Sequence, residues 1–220
     1  MRGRLIAFEG IDGSGKTSQV RLLAAAETAA AIETTAEPGA TALGADLRDL
    51  LLRRDRPPVA ERAEALLMAA DRAQHVAEVV APALAAGRWV VTDRFSGSTL
   101  AYQGYGRGLD LGDLRRLVDW ATGGITPDLN VLFDVPLDVA RGRRATGDDD
   151  RLESLDRAFH DRVRRGYLAL AADDPGHWVV IDGVGDPLEV AGRVRAAVEA
   201  RLGAPASGAP PSGAPPSGAP

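Results

Sequence analysis

Cysteine is absent from the chain, which excludes disulfides and thiolate metal sites. Lysine is nearly absent: of 26 basic residues, Lys16 alone is lysine and the other 25 are arginine. No long apolar run occurs near the start. The segment Leu5–Phe8, which follows Met1-Arg2-Gly3-Arg4, is far shorter than a signal-peptide core or a membrane span. A cytoplasmic protein without a membrane partner is therefore expected. An excess of positive charge is missing too. A net charge of -5 and a pI near 5.3 argue against nucleic acid as a partner, because such footprints are usually basic. Cations that hold phosphate must then be placed locally.

What is present is a globular composition, 45% hydrophobic and 26% charged over 220 residues, enough for one α/β domain with a buried core. Residues 203–220 stand apart. Those 18 residues hold 6 of the 14 prolines, carry no charge and repeat Pro-Ser-Gly-Ala-Pro. A disordered tail without a catalytic role is expected there, after a single domain over 1–202.

Arg4–Phe8 reads as a buried strand, and a helix is expected from near Lys16 to about Thr28. Ala31–Thr35, Trp89–Thr92, Leu129–Val135 and Trp178–Ile181 read as further strands. Helical spacing occupies Leu43–Arg53, Val59–Ala86, Leu111–Trp120, Leu137–Arg144, Leu152–Ala172 and Pro187–Leu202. Gly97–Gly108 is a glycine- and tyrosine-rich stretch without an assigned element, and Ala145–Arg151 reads as a mobile loop. Strands alternating with helices predict a three-layer α/β fold with a five-stranded parallel sheet and right-handed crossovers. Ligands bind beyond the carboxyl ends of such strands. Gly10–Thr17, Glu37–Gly39 and Asp93-Arg94 all fall there.

The run Gly10-Ile11-Asp12-Gly13-Ser14-Gly15-Lys16-Thr17, with Ser18 next to it, matches G-x-x-x-x-G-K-[ST] between a strand and a helix. Glycines let the backbone wrap a triphosphate so that N–H groups and the helix N-terminus point at it. Lys16 is expected to bridge the β- and γ-phosphates of ATP, and the Thr17 hydroxyl to hold Mg²⁺. Where arginine is the default cation, a lone lysine marks a position that a planar guanidinium would crowd. By itself the loop indicates only triphosphate binding.

Further stretches follow in a fixed order. Phe8-Glu9 precedes the loop; Glu37-Pro38-Gly39 is followed by Leu43-Gly44 and Arg48; then come Ala69-Ala70-Asp71-Arg72, Asp93-Arg94-Phe95 and Leu100-Ala101-Tyr102-Gln103-Gly104. Pro127-Asp128-Leu129 and Asp150-Arg151-Leu152-Glu153 complete the set. In this order and spacing, along nearly all of residues 4–202, the chain resembles the thymidylate kinase family of P-loop nucleoside monophosphate kinases. The resemblance implies transfer of the ATP γ-phosphoryl to dTMP with Mg²⁺, giving dTDP, usually in a homodimer.

Each position also has a physical case. Guanidinium forks match a monophosphate's oxygens, and the resemblance assigns Arg48, Arg72 and Arg94 to dTMP. Asp93 ends an apolar strand, where a carboxylate is costly unless paired or solvated; it could bind Mg²⁺ through water or orient Arg94. Asp12 is an odd charge beside a triphosphate, and the resemblance sends it to the sugar 3′-hydroxyl. Glu37, beside Pro38, either shapes the sugar and metal region or is a plain turn residue. Tyr102 and Gln103 are expected to line the base and sugar pocket, with Thr99 nearby; a Gln amide can pair with both a carbonyl and an imide N–H.

A lid is expected over about 143–152. Gly13 occupies the loop position where some relatives carry an arginine, so the resemblance implies a catalytic arginine from the lid. Arg151 and Arg144 are the candidates, Arg151 favoured, while Arg143 is expected to stack on adenine. Met68 stands where the family usually has phenylalanine against thymine and packs more loosely on a ring. Ala36, Ala40 and Phe95 also depart from the family's usual residues. Two other readings stay open: another nucleotide or deoxynucleoside kinase on this fold, and a non-catalytic P-loop module. A GTPase is excluded, since its Asn-Lys-x-Asp motif needs a second lysine.

Overall fold

The residues Leu5–Glu9 form strand β1 at the middle of a parallel sheet, and every one of their side chains is buried. The structure is a computed structural model that describes residues 2–26, 32–143 and 150–203. Strands β2 (Ile32–Ala36), β3 (Trp89–Asp93), β4 (Leu129–Asp134) and β5 (Trp178–Asp182) complete a sheet of order β2-β3-β1-β4-β5. All neighbouring pairs are parallel, with Phe8 opposite both Asp93 and Val131. The five-stranded parallel sheet is as expected from the sequence. Because β1 has β3 on one side and β4 on the other, a crevice opens beyond its carboxyl end.

Alternation along β1 separates the two faces, as a period of two requires. Ile6 and Phe8 join a core with Val20 and Leu23 of α1 (Lys16–Ala26) and Val194 and Val198 of α9 (Pro187–Leu202). Leu5 and Ala7 join a core with Val80, Leu84 and Phe95 on the opposite face. A further cluster there gathers Tyr102, Leu132 and Phe159 with Val163 and Tyr167 of α8 (Arg157–Asp173). Helices α2 (Ala42–Leu52), α6 (Leu111–Thr122) and α7 (Leu137–Arg143) complete the described layers.

Three expected elements differ. The helix expected over Val59–Ala86 is α3 (Glu61–His75), a π-helical turn Val76–Val80 and α4 (Ala81–Ala85). Pro82 sits in the first turn of α4, and the wider turn before it accommodates the missing N–H. Gly97–Gly108, left unassigned, is mostly helical: α5 (Ser96–Thr99) runs into π-helical Leu100–Gly106. A Cβ on Gly106 would lie 2.7 Å from the Phe159 ring, so its glycine permits close helix packing.

Helix α8 starts at Arg157 rather than Leu152. Asp156 caps it by accepting from Phe159 N at 2.7 Å, while Asp150 Oδ1 accepts from Leu152 N at 2.8 Å and from Glu153 N at 2.9 Å. Those local bonds hold 150–153 as a turn instead. The expected ends at Thr28 and Ala31, the lid span 144–149 and the tail 204–220 lie outside the described residues. Among the described residues, no helix is long and apolar enough to cross a membrane.

Candidate active site

The loop between β1 and α1 bends back on itself at Gly10, whose φ is 141°. A Cβ there would lie 2.8 Å from Phe133 O and 2.9 Å from Ser14 Oγ, so only glycine fits. Lys16 Nζ donates to Gly10 O at 3.0 Å and Ile11 O at 2.9 Å, and it is 5% exposed. Burial, then the charge of Arg94, pulls its ammonium down to about 8 against the pull of Asp93 and Asp12. Above the loop lies an open cavity. Gly13, Ser14, Gly15, Thr17 and Ser18 line one wall, and Arg143, Gly183, Gly185 and Pro187 line others.

Thr17 Oγ1 donates to Asp93 Oδ2 at 2.5 Å, which puts the two expected metal ligands side by side. Among the described residues no group of three or more His, Cys, Asp or Glu is gathered to hold a metal. One hydroxyl and one carboxylate at a phosphate loop is the donor set that suits Mg²⁺, which keeps several waters and takes phosphate oxygens.

A second cavity opens between α2, α3 and the π-helical segment. Pro38, Leu52, Met68, Arg72, Thr99, Tyr102, Gln103 and Leu152 line it. Both cavities share Asp12, Glu37, Arg48, Arg94 and Glu153, so they meet there.

Arg94 occupies the junction. Its φ of 74° is unusual for a side-chain-bearing residue and sits one residue beyond β3. Nη1 donates to Gly10 O at 3.0 Å, Ser98 Oγ at 3.1 Å and Tyr167 Oη at 3.1 Å. Nη2 pairs with Asp12 Oδ1 and donates to Tyr102 Oη at 3.2 Å. Tyr102 Oη in turn donates to Asp12 Oδ2 at 2.7 Å. Burial pushes the Asp12 carboxyl up, but Arg94, then Lys16 and the tyrosine, outweigh it and hold it well below the usual range.

Beneath this triad lies Glu9, which the sequence reading passed over as a site residue. It is fully buried and accepts from Ser98 Oγ at 2.6 Å, Tyr167 Oη at 3.0 Å and Phe95 N at 3.0 Å. Burial raises its pKa against those bonds and the charge of Arg94. The available signal was a carboxylate inside an apolar strand that runs straight into a phosphate loop.

Arg72, one of the three arginines expected to hold dTMP, lines the second cavity with Arg48 and Arg94. It is 2% exposed; Nε donates to Glu37 Oε2 at 2.8 Å, Nη1 to Thr99 Oγ1 at 2.8 Å and Nη2 to Phe95 O at 2.9 Å. Its charge is neutralised by Glu37, and it forms the floor of the second cavity. Glu37 therefore has a buried structural task beyond the turn, since its other oxygen meets His75 Nδ1 at 2.8 Å. Arg48 differs: it is exposed, lines both cavities and donates Nη1 to Pro38 O at 3.0 Å.

The arginines of the expected lid divide in the same way. Arg143 lines the phosphate-loop cavity, and Arg144 lies outside the described residues. Arg151, the favoured lid catalyst, is held away from that cavity. Its Nε donates to Leu51 O at 2.7 Å and its Nη2 to Glu64 Oε2 at 3.1 Å. Glu64 and Arg107, both missed, form a buried cluster with it. The signal for Glu64 was its place four residues before Met68 and eight before Arg72, one stripe of α3.

Known proteins resemble this chain over most of its length. The family model described as thymidylate kinase matches residues 8–192. The thymidylate kinase of Synechococcus sp. (strain JA-3-3Ab) is 51% identical over 199 residues, covering 90% of this chain and 96% of its own length. That of Carboxydothermus hydrogenoformans is 47% identical over 206 residues, covering 92% and 100%. The crystal structure of thymidylate kinase from Ehrlichia chaffeensis superposes with a TM-score of 0.75 at 31% identity, covering 90% of this chain and all of that one. A phosphate loop joined through Arg94 and Asp12 to a second cavity, on a sequence matched over this span, means that the chain belongs to the thymidylate kinase family.

Proposed function

We propose that this chain transfers the γ-phosphoryl group of ATP to dTMP, forming dTDP and ADP. One observation carries the reading: the phosphate-loop cavity and the second cavity meet at Asp12, Arg48 and Arg94. A donor triphosphate in the first and an acceptor monophosphate in the second would bring their reacting phosphates together at that junction. Positioning of this kind, with charges fixed in advance, accounts for most of phosphoryl-transfer catalysis.

Lys16 leaves the carbonyls of Gly10 and Ile11 for the phosphates, and the loop amides orient them. Arg94 and Arg48 receive the monophosphate of dTMP, and Asp12 with Tyr102 faces the sugar. Met68, Thr99, Arg72 and Gln103 bound the base. Arg143 stands beside the donor nucleotide, and Arg144 is the lid arginine assigned to the transferring group. Thr17 and Asp93 would hold Mg²⁺, which would supply neutralisation of the triphosphate's charge when bound. The attacking phosphate oxygen is already ionised, so no general base is needed.

The active form is a homodimer in the cytoplasm, acting on small nucleotides and on neither nucleic acid nor membrane. Support for a dimer comes from Leu43 and Leu50 on α2, Leu66 on α3 and Trp120 on α6, which are 38–83% exposed on neighbouring helices. A coupled ADP-release assay across dTMP, dUMP, UMP, dCMP, dGMP and AMP tests the acceptor. The highest kcat/KM is expected with dTMP; a clear preference for another monophosphate would overturn the assignment.

A further inference from the structure

Glu64 is a fully buried carboxylate on α3 that takes no part in the transfer itself. Three side chains from elsewhere converge on it. Gln103 Nε2 donates to Oε1 at 3.0 Å, Arg107 donates Nε to Oε1 at 3.2 Å and Nη2 to Oε2 at 2.9 Å, and Arg151 Nη2 donates to Oε2 at 3.1 Å. Both guanidiniums are anchored in turn. Arg107 lies over the Phe159 ring at 5.1 Å, and Arg151 Nε is bound to Leu51 O at 2.7 Å.

A carboxylate between two guanidiniums offers only lone pairs. The amide atom that faces it must therefore be the NH₂ group, whichever way Gln103 would otherwise turn. With Nε2 committed to Glu64, the base-side cavity receives the other half of the amide. Among the described residues Oε1 has no protein partner, and the buried acceptors left unpaired are Gln19 Oε1 and Asn130 Oδ1. Gln103 Oε1 is not one of these, so it is open to the cavity that Gln103 lines.

We propose that Glu64 is a positioning residue for base selection, holding the Gln103 amide so that the site reads a pyrimidine N3–H and rejects a bare N3 acceptor. The inference rests on the dTMP reading above. Thymine N3–H can donate to Oε1. Cytosine brings a lone pair against a lone pair, and flipping the amide to relieve this would set its oxygen against the Glu64 carboxylate. Either arrangement leaves buried polar groups unpaired, and such mismatches discriminate far more strongly than a lost methyl contact. Arg107 and Arg151 serve by keeping the carboxylate paired and fixed.

The test compares kcat/KM for dTMP and dCMP in the wild type and in Glu64→Gln, whose amide can donate or accept and so frees Gln103 to turn. The dTMP-to-dCMP ratio is expected to fall at least about tenfold, through KM for dTMP rather than kcat. Glu64→Asp, which keeps an acceptor-only group, should retain most of the ratio. A folded Glu64→Gln with an unchanged ratio would overturn the role of Glu64 while leaving the dTMP reading intact. A wild type that prefers another monophosphate to dTMP would overturn both. Should Glu64→Gln not fold, the wild type is tested with 5-methyl-dCMP, which has the thymine outline without the N3 proton. Rejection by at least about tenfold relative to dTMP supports the proposal, and equal use contradicts it.

Discussion

The Arg94 guanidinium and the Asp12 carboxylate form a direct ion pair where the two cavities join, and Tyr102 closes the triad by donating to Asp12 Oδ2 at 2.7 Å. The pair links the phosphate loop to the segment after β3. It also fixes the phosphate-loop end of the second cavity.

Arg94→Lys should be severely impaired although it keeps the charge. A lysine is a point charge and cannot span Gly10 O, Ser98 Oγ and Asp12 together, as the fork does. The expected fall in kcat/KM for dTMP is on the order of 10²-fold or more. Steady-state kinetics with dTMP varied at saturating ATP measures it. A fall under about threefold would show that the fork geometry is dispensable.

Lys16 gives ATP binding a pH dependence of definite sign. Its ammonium, pulled down to about 8 by burial and by Arg94, loses its proton as pH rises through that value. The nucleotide favours the charged form, so binding above pH 8 takes up a proton and weakens about tenfold per pH unit. Calorimetric titration of ATP from pH 6 to 9.5 in buffers of different ionisation heat reads both effects. A flat Kd with no buffer dependence would contradict the assignment.

Asp71 has the opposite consequence for the fold. Burial, then repulsion from Glu37, pushes its carboxyl up to about 6 from an ordinary value of 3.8. Between those values the folded chain holds more protons than the unfolded chain, so this group's contribution to stability falls as pH rises. Asp71→Asn can still accept the bond that Gly39 N donates to Oδ1 at 2.9 Å. The Tm difference between Asp71→Asn and wild type should therefore move in the variant's favour between pH 4 and pH 7, on the order of 3 °C. Scanning calorimetry at both pH values checks it, and a pH-independent difference would contradict it.

The arginines at either end of the lid should separate kinetically. Arg143 lines the phosphate-loop cavity, so Arg143→Ala is expected to act on ATP and on kcat. Arg151 is tied to Glu64 and to Leu51 O at the acceptor end, so Arg151→Ala should mainly raise KM for dTMP, by roughly tenfold. A large loss of kcat in Arg151→Ala at unchanged KM would instead mark it as the lid catalyst.

Much of the fold was legible in the sequence because the strands are short apolar runs with glycine-rich or acidic ends. The phosphate loop was legible for the same reason that it works: glycines, one lysine and a threonine at fixed spacing between a strand and a helix. The π-helical segment Leu100–Gly106 was not. Its glycines, Gly104 packed against Leu111 and Gly106 against the Phe159 ring, carry no helical signature. The late start of α8 was hidden because Asp150 and Asp156 each capture backbone N–H groups locally. Of the site, Lys16, Thr17, Asp93 and Arg94 were readable from motif and position. Arg72 and Arg151 were readable as site residues but not as to their partners, because Glu37 and Glu64 reach them across 35 and 87 residues of chain. Long-range pairing of buried charges leaves no periodic trace in the sequence.

The central claim is the identity of the bond that forms. Incubating the chain with MgATP labelled at the γ-phosphate and unlabelled dTMP, then separating the nucleotides, measures it directly. The label is expected in dTDP, in amounts equal to the ADP released and dependent on dTMP. Label recovered as inorganic phosphate, or ADP release that ignores dTMP, would contradict it.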